Sequence, residues 1–236
     1  MLDVIGAIFG TALYTGLVAV LISLAPLRPG TRFAACAAAA AWLGIIVAVA
    51  APGGLAPGAL GPVPATLLPF TVLLALLLGS WFVVAKFRSA LLCVPLPALV
   101  GVNAGRLGGA FFLLLWADGR LSAPFAPVAG LGDLVTGALA IPLAAMLALR
   151  FDMRRAWLGI WNVFGAFDLV VAVSLGALSM PNTPFHVFTK APGTLAMTTV
   201  PWVLVPAMLV PIFLLIHLAI ATRLRAETRA GRPALA

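Results

Sequence analysis

The sequence predicts an all-α membrane protein that folds as a single bundle of seven transmembrane helices. Of its 236 residues, 64% are hydrophobic and only 8% are charged, which leaves too little polar surface for a water-soluble domain. Seven apolar stretches account for nearly all of the chain. They lack the alternation of a β-barrel, so helices are expected to satisfy their backbone amides in lipid.

Runs of about 20 apolar residues, the length that crosses a hydrocarbon core of about 30 Å, define the spans. We place these spans at residues 4–25, 33–51, 65–85, 91–116, 128–149, 157–178 and 200–222. The fourth run is too long for one straight crossing, and Pro95 and Pro97 mark where its regular helix should begin. Pro201, Pro206 and Pro211 predict a bent seventh helix with free carbonyl groups in its outer half.

The distribution of basic residues predicts the orientation of the chain. Eleven cations follow the odd-numbered spans: Arg28, Arg32, Lys86, Arg88, Arg150, Arg154, Arg155, Arg223, Arg225, Arg229 and Arg232. Only Arg120 and Lys190 lie on the other side. By the positive-inside rule, the N-terminus is outside and the C-terminus is cytoplasmic. Residues 1–236 then form one transmembrane domain, in which residues 223–236 are a basic cytoplasmic tail.

These features indicate an integral protein of a bacterial-type inner (plasma) membrane, with the lipid bilayer as its main partner. The net charge of +8 would suggest nucleic acid in a soluble chain, but here the cations flank apolar spans. We therefore expect no nucleic-acid partner. No polar segment exceeds about 21 residues, which excludes a separate soluble catalytic domain. A membrane partner or a second copy of the chain remains open.

Polar residues inside the predicted spans form the candidate site. A charge at a helix centre costs about 2.5 to 3.5 kcal/mol on insertion scales, so such residues face the interior and usually have a partner. Arg106 and Asp168 lie at matching depth, about mid-membrane, and are predicted to pair. Asp133 is expected roughly 7 to 8 Å below the outer surface as a second carboxylate. Asn103 lies one helical turn from Arg106 and completes the predicted substrate- or ion-binding set.

The connection between residues 179 and 199 is the longest and is expected outside the membrane. It is too apolar for a solvated loop, so it is predicted to pack near helices four to six. It is either a lid over the polar cluster, with His186 and Lys190 as candidate lid residues, or an interfacial loop held by its aromatic residues. His217 is expected at the inner interface, near the end of the seventh helix.

No catalytic residues, metal site or cofactor are predicted. His186 and His217 lie on opposite sides, and no cluster has zinc-ligand spacing. The first functional hypothesis is an outward-facing polar site that binds a small solute or couples transport to protons or cations. The alternative is a scaffold or accessory subunit in which the Arg and Asp cluster only fastens helices. An intramembrane enzyme is a third hypothesis, for which the chain shows no complete catalytic set.

Overall fold

The structure, a computed structural model, describes residues 1–151 and 155–229. The predicted cytoplasmic cations Arg154 and Arg232, and residues 230–236 of the predicted tail, lie outside the described residues. Within them the protein is all-helical, with 75% helix and no strands. This confirms the all-α class predicted from the sequence.

The helices are numbered here in chain order. They are α1 (Leu2–Leu24), α2 (Pro29–Ala50), α3 (Leu67–Val83), α4 (Ala85–Leu92), α5 (Leu96–Gly101), α6 (Ala110–Ala117), α7 (Phe125–Ala148), α8 (Arg155–Leu178) and α9 (Val210–Arg229). A 3-10 helix, Val102–Gly109, joins α5 to α6. A π-helix, Val205–Leu209, leads into α9. Both irregular segments lie within membrane-length helical stretches.

Six helical stretches are long and apolar enough to cross a membrane, or seven if α3 and α4 count as one broken span. The axes of α3 and α4 differ by 95°. Many large apolar side chains lie on the outside of the bundle, such as Val163 and Phe167 of α8, which are 67% and 64% exposed. An exposed apolar surface of this extent suits lipid rather than water.

Proline positions fix the start of the fourth predicted span. Pro95 immediately precedes α5, and Pro97 lies in its first turn, as predicted. The backbone then tightens into the 3-10 helix, which contains Gly105, Gly108 and Gly109. Glycine has low α-helix propensity, so tertiary packing can readily change this glycine-rich stretch from an α-helix to a 3-10 helix. The tightened segment carries Arg106 into the centre of the bundle.

The last helical stretch is the core of the bundle, since 67% of its most apolar part is buried, against 11% for α2. Pro211 cannot donate the amide hydrogen bond that the carbonyl of Ala207 would receive in a regular α-helix. The indole Nε1 of Trp42 donates to that carbonyl instead, at 3.1 Å. The predicted free carbonyl is therefore confirmed, and the π-helix accommodates it.

Polar contacts at the two ends of the bundle show which connections share a face. Asp3 accepts hydrogen bonds from Arg120 Nη2 at 2.9 Å and from Trp202 Nε1 at 2.7 Å. The N-terminus, the α6–α7 connection and the start of the last helical stretch therefore share the N-terminal face. Arg223 Nη1 donates to the carbonyl of Val94 at 2.6 Å, which places the C-terminal half of α9 beside the α4–α5 connection.

The connection at residues 179–199 packs against the bundle. Thr194 Oγ1 donates to the carbonyl of Gly176 on α8 at 2.9 Å. Met197 is 4% exposed and belongs to an apolar cluster that includes Phe125 of α7. The predicted packing against the fourth, fifth and sixth spans is confirmed. The segment thus forms part of the wall around the candidate site.

Candidate functional site

A buried arginine is at the centre of the candidate site. Arg106 lies on the 3-10 helix, and its side chain is only 1% exposed. A guanidinium remains protonated in proteins and presents five N–H donors. Its charge must therefore be matched by acceptors inside the bundle.

Two carboxylates bind this guanidinium from neighbouring helices. Arg106 Nε donates to Asp133 Oδ1 of α7 at 2.6 Å, and Nη2 donates to Asp168 Oδ2 of α8 at 2.5 Å. The predicted pairing of Arg106 with Asp168, with Asp133 as a second carboxylate, is confirmed. Asp133 lies eight residues into α7, about 12 Å along the axis and deeper than the predicted 7 to 8 Å.

The remaining face of the guanidinium contacts α8 and α9. Arg106 Nη1 donates to the carbonyl of Gly165 at 2.9 Å and lies 3.2 Å from His217 Nε2. The ring of Phe213, one turn before His217, has its centroid 6.0 Å from the guanidinium carbon. A single side chain therefore joins the 3-10 helix to α7, α8 and α9.

Arg106 and Asn162 together fix the tautomer of His217. A guanidinium has no acceptor, so His217 Nε2 must accept the proton of Arg106 Nη1. His217 Nδ1 then carries the ring proton and donates to Asn162 Oδ1 at 2.9 Å. The Nδ2 group of Asn162 donates in turn to the carbonyl of His217 at 3.1 Å. In this arrangement His217 is neutral and adds no charge to the cluster.

The position of His217 corrects the sequence prediction, which placed this residue at a helix end near the inner interface. His217 lies twelve residues after Val205 and twelve before Arg229, at the middle of the last helical stretch. It is 1% exposed. Asn162 reaches the cluster through His217. The predicted site therefore lacked two members of the network, His217 and Asn162.

Glycines allow the helices to approach closely around these polar groups. A Cβ added at Gly165 would lie 2.7 Å from His217 Cε1, and one added at Gly132 would occupy the space of the Asp168 carboxylate. Small residues at membrane helix interfaces permit such close approach. These two positions set the spacing that lets α7, α8 and α9 meet at Arg106.

The charges of this network do not balance. Two aspartates against one guanidinium and a neutral histidine carry a net charge of −1 when both carboxyl groups are ionised. An uncompensated charge is costly in a low-dielectric interior. The surplus negative charge is offset if one carboxyl group takes up a proton, binds a cation or is in contact with water.

Two small cavities border the cluster. One, of about 60 Å³, is lined by Asp133 and, from the 179–199 connection, by Met180, Thr194 and Met197. The other, of about 50 Å³, is lined by both Arg106 and Asp133. A cavity needs about 10 to 15 Å³ of such volume to hold one water molecule, so each accommodates a few waters. Asp133 is the carboxylate at which the two cavities meet.

Residues 63–225 match the family described as "Domain of unknown function (DUF8737)". The match covers more than half of the chain. The chain belongs to the DUF8737 family. No curated protein and no solved structure matches it. The DUF8737 region contains every residue of the Arg106 network and starts after α2.

Asn103, which the sequence predicts as a member of the site, is not hydrogen-bonded to the Arg106 network. Asn103 is fully buried one turn from Arg106, and its Nδ2 donates to the carbonyl of Leu99 at 3.0 Å. Its Oδ1 has no protein partner among the residues described. Asn103 is thus buried one turn from Arg106 as predicted, but its amide group donates to Leu99 and to neither carboxylate.

The two candidate lid residues lie on the surface part of the 179–199 connection. Lys190 is exposed and His186 is partly exposed. The residues of this connection that line the cavity at Asp133 are instead Met180, Thr194 and Met197. The described part of the chain also holds no group of three His, Cys, Asp or Glu side chains that could bind a metal ion.

Proposed function

We propose that this DUF8737 protein takes up one small positive ion at the cluster of Arg106, Asp133 and Asp168, one helical turn from Asn103, and couples this uptake to transport across the bilayer. The supporting observation is the unbalanced carboxylate beside Arg106. The ion is a proton or a monovalent cation, because the adjoining cavities of about 60 and 50 Å³ are too small for most organic solutes. The lining of the cavities includes residues near the N-terminal face, such as Gly6 and Trp202, and Thr194 of the 179–199 connection.

A second candidate function is that of a scaffold or accessory subunit. The observation that favours it is the bonding of Arg106 to α7, α8 and α9 at once. Buried polar networks of this kind can specify how helices pair. In this case the cluster would fasten the bundle and exchange no ion with water.

Ion flux into liposomes separates the two functions. Purified protein reconstituted with a trapped pH-sensitive or cation-sensitive dye is expected to conduct protons or a monovalent cation when a gradient is imposed. Asp133→Asn should abolish the flux, because Arg106 and Asp168 then balance without an added ion. Asp3→Asn is the matched control, since Asp3 is 52% exposed at the N-terminal face and should keep the flux. Wild-type liposomes no more permeable than protein-free ones would favour the scaffold.

We infer that the chain crosses the membrane seven times, with α3 as the third crossing and α4 as a short interfacial helix. The seventeen residues of α3 span about 26 Å, close to the thickness of a hydrocarbon core. The imbalance of cations between the two ends supports an outside N-terminus and a cytoplasmic C-terminus, as in a bacterial-type inner membrane. The N-terminal face, and the site with it, is then the outer one.

Cysteine labelling in intact cells tests this topology. In a background with Cys36→Ala and Cys93→Ala, a cysteine at Lys190 should react with an impermeant thiol reagent. A cysteine at Arg88 should react only after the membrane is made permeable. Labelling of Arg88→Cys in intact cells, with Lys190→Cys protected, would reverse the orientation.

A further inference from the structure

We infer that the ion taken up by the cluster is a proton rather than a metal cation, and that Asp133 carries it. This inference rests on the proposed function, because it assigns the chemistry of the positive charge that balances the cluster.

Access distinguishes the two carboxylates. The side chain of Asp133 is 15% exposed and borders both cavities, whereas that of Asp168 is 7% exposed. Among the described residues that line these cavities, Asp133 is the only carboxylate. A proton carried by water in either cavity therefore arrives first at Asp133.

The cavity walls are poor in oxygen ligands. Hard cations in proteins are held by about six oxygen atoms. Besides Asp133, Thr66 and Thr194 are the only described residues with oxygen-bearing side chains that line the 60 Å³ cavity, and its other described lining residues are apolar. The other cavity adds no oxygen-bearing side chain beyond that of Asp133 among the described residues. A proton needs only one lone pair, so the lack of further oxygen ligands does not hinder its binding.

Asp133 offers that lone pair. Its Oδ1 accepts from Arg106 Nε, while its Oδ2 makes no hydrogen bond within residues 1–151 and 155–229. The charged groups that face it are Arg106 from the 3-10 helix and Asp168 from α8, with neutral His217 of α9 behind the guanidinium. The cavity residues from α1 and α3 are not ionisable. A hydronium ion in the cavity transfers its proton to Oδ2, leaving water and a neutral carboxyl group beside the balanced Arg106–Asp168 pair.

Infrared difference spectroscopy between acidic and alkaline pH tests the assignment on the purified full-length protein. The wild type is expected to show the carbonyl stretch of a protonated aspartate, unchanged when sodium chloride replaces potassium chloride. Asp133→Glu should shift this band, because the absorbing group itself changes, and the adjacent cavity has room for the added methylene. Asp133→Asn should remove the band.

Three results would overturn the inference: no carboxyl band at any pH at which the protein remains folded, a band unmoved by Asp133→Glu, or a band abolished by sodium ions. The flux experiment fails independently of this one. If the band moves with Asp133→Glu in a protein that shows no flux, the proton assignment is supported and the transport function is contradicted. If cation flux is measured but no carboxyl band is seen, the transport function is supported and the proton assignment is contradicted.

Discussion

Replacement of Arg106 with leucine is expected to lower the free energy of unfolding by about 3 to 5 kcal/mol. The change leaves Asp133 and Asp168 without their shared cation in the interior, where their side chains are 15% and 7% exposed. It also removes the donor to the Gly165 carbonyl and to His217. Unfolding by sodium dodecyl sulfate in mixed micelles measures this loss.

Arg120→Leu is the matched control for that measurement. Arg120 also binds an aspartate, Asp3, at 2.9 Å, but the two side chains are 33% and 52% exposed. An exposed ion pair contributes about 0 to 1 kcal/mol, because water screens both partners. Equal losses for Arg106→Leu and Arg120→Leu would show that the central cluster is hydrated in the folded protein.

Hydropathy and depth predicted the pairing at the centre of the bundle. The cost of an unpaired charge in lipid requires Arg106 to find a partner, and the span ends place Asp168 at the same level. The physical constraint is one-dimensional: it fixes height along the membrane normal. It does not fix which way a side chain points, which is why Asn103 was grouped with the carboxylates although its amide bonds to Leu99.

The position of His217 within its helix could not be predicted by counting residues from the end of the apolar run. The basic residues after residue 222 ended the predicted seventh span, yet the helix continues through Arg223 and Arg225 to Arg229. Hydropathy marks where lipid ends, whereas a helix continues as long as its backbone hydrogen bonds remain favourable. Because the helical stretch runs from Val205 to Arg229, five residues later at its start and seven later at its end than predicted, His217 lies at its middle rather than near its end.

The irregular helices follow from tertiary packing, which the sequence pattern does not contain. Pro211 predicts that a carbonyl is left free, but not that Trp42 of α2 will reach it. Gly105, Gly108 and Gly109 permit a tighter winding without requiring it. The 3-10 helix at Arg106 could therefore not be predicted from the sequence.

The double change of Asp133 and Asp168 to asparagine should cost far more than its single changes together. Each single variant leaves Arg106 with one carboxylate, a neutral pair, and an asparagine oxygen still able to accept, so each should lose about 1 kcal/mol or less. The double variant strands a buried guanidinium and should lose about 3 to 5 kcal/mol, again measured by unfolding in mixed micelles.

The double-mutant cycle then gives a coupling of about 1 to 5 kcal/mol between Asp133 and Asp168, the loss in the double variant less the two single losses. Asp3→Asn combined with Asp168→Asn is the control, because Asp3 binds Arg120 and Trp202 and shares no partner with the cluster. Changes at independent sites add to within about 0.5 kcal/mol. Additive losses for Asp133 and Asp168 would mean that the two carboxylates do not depend on one arginine. If only this pair shows a large coupling, both carboxylates depend on Arg106, and either one alone is enough to balance its charge.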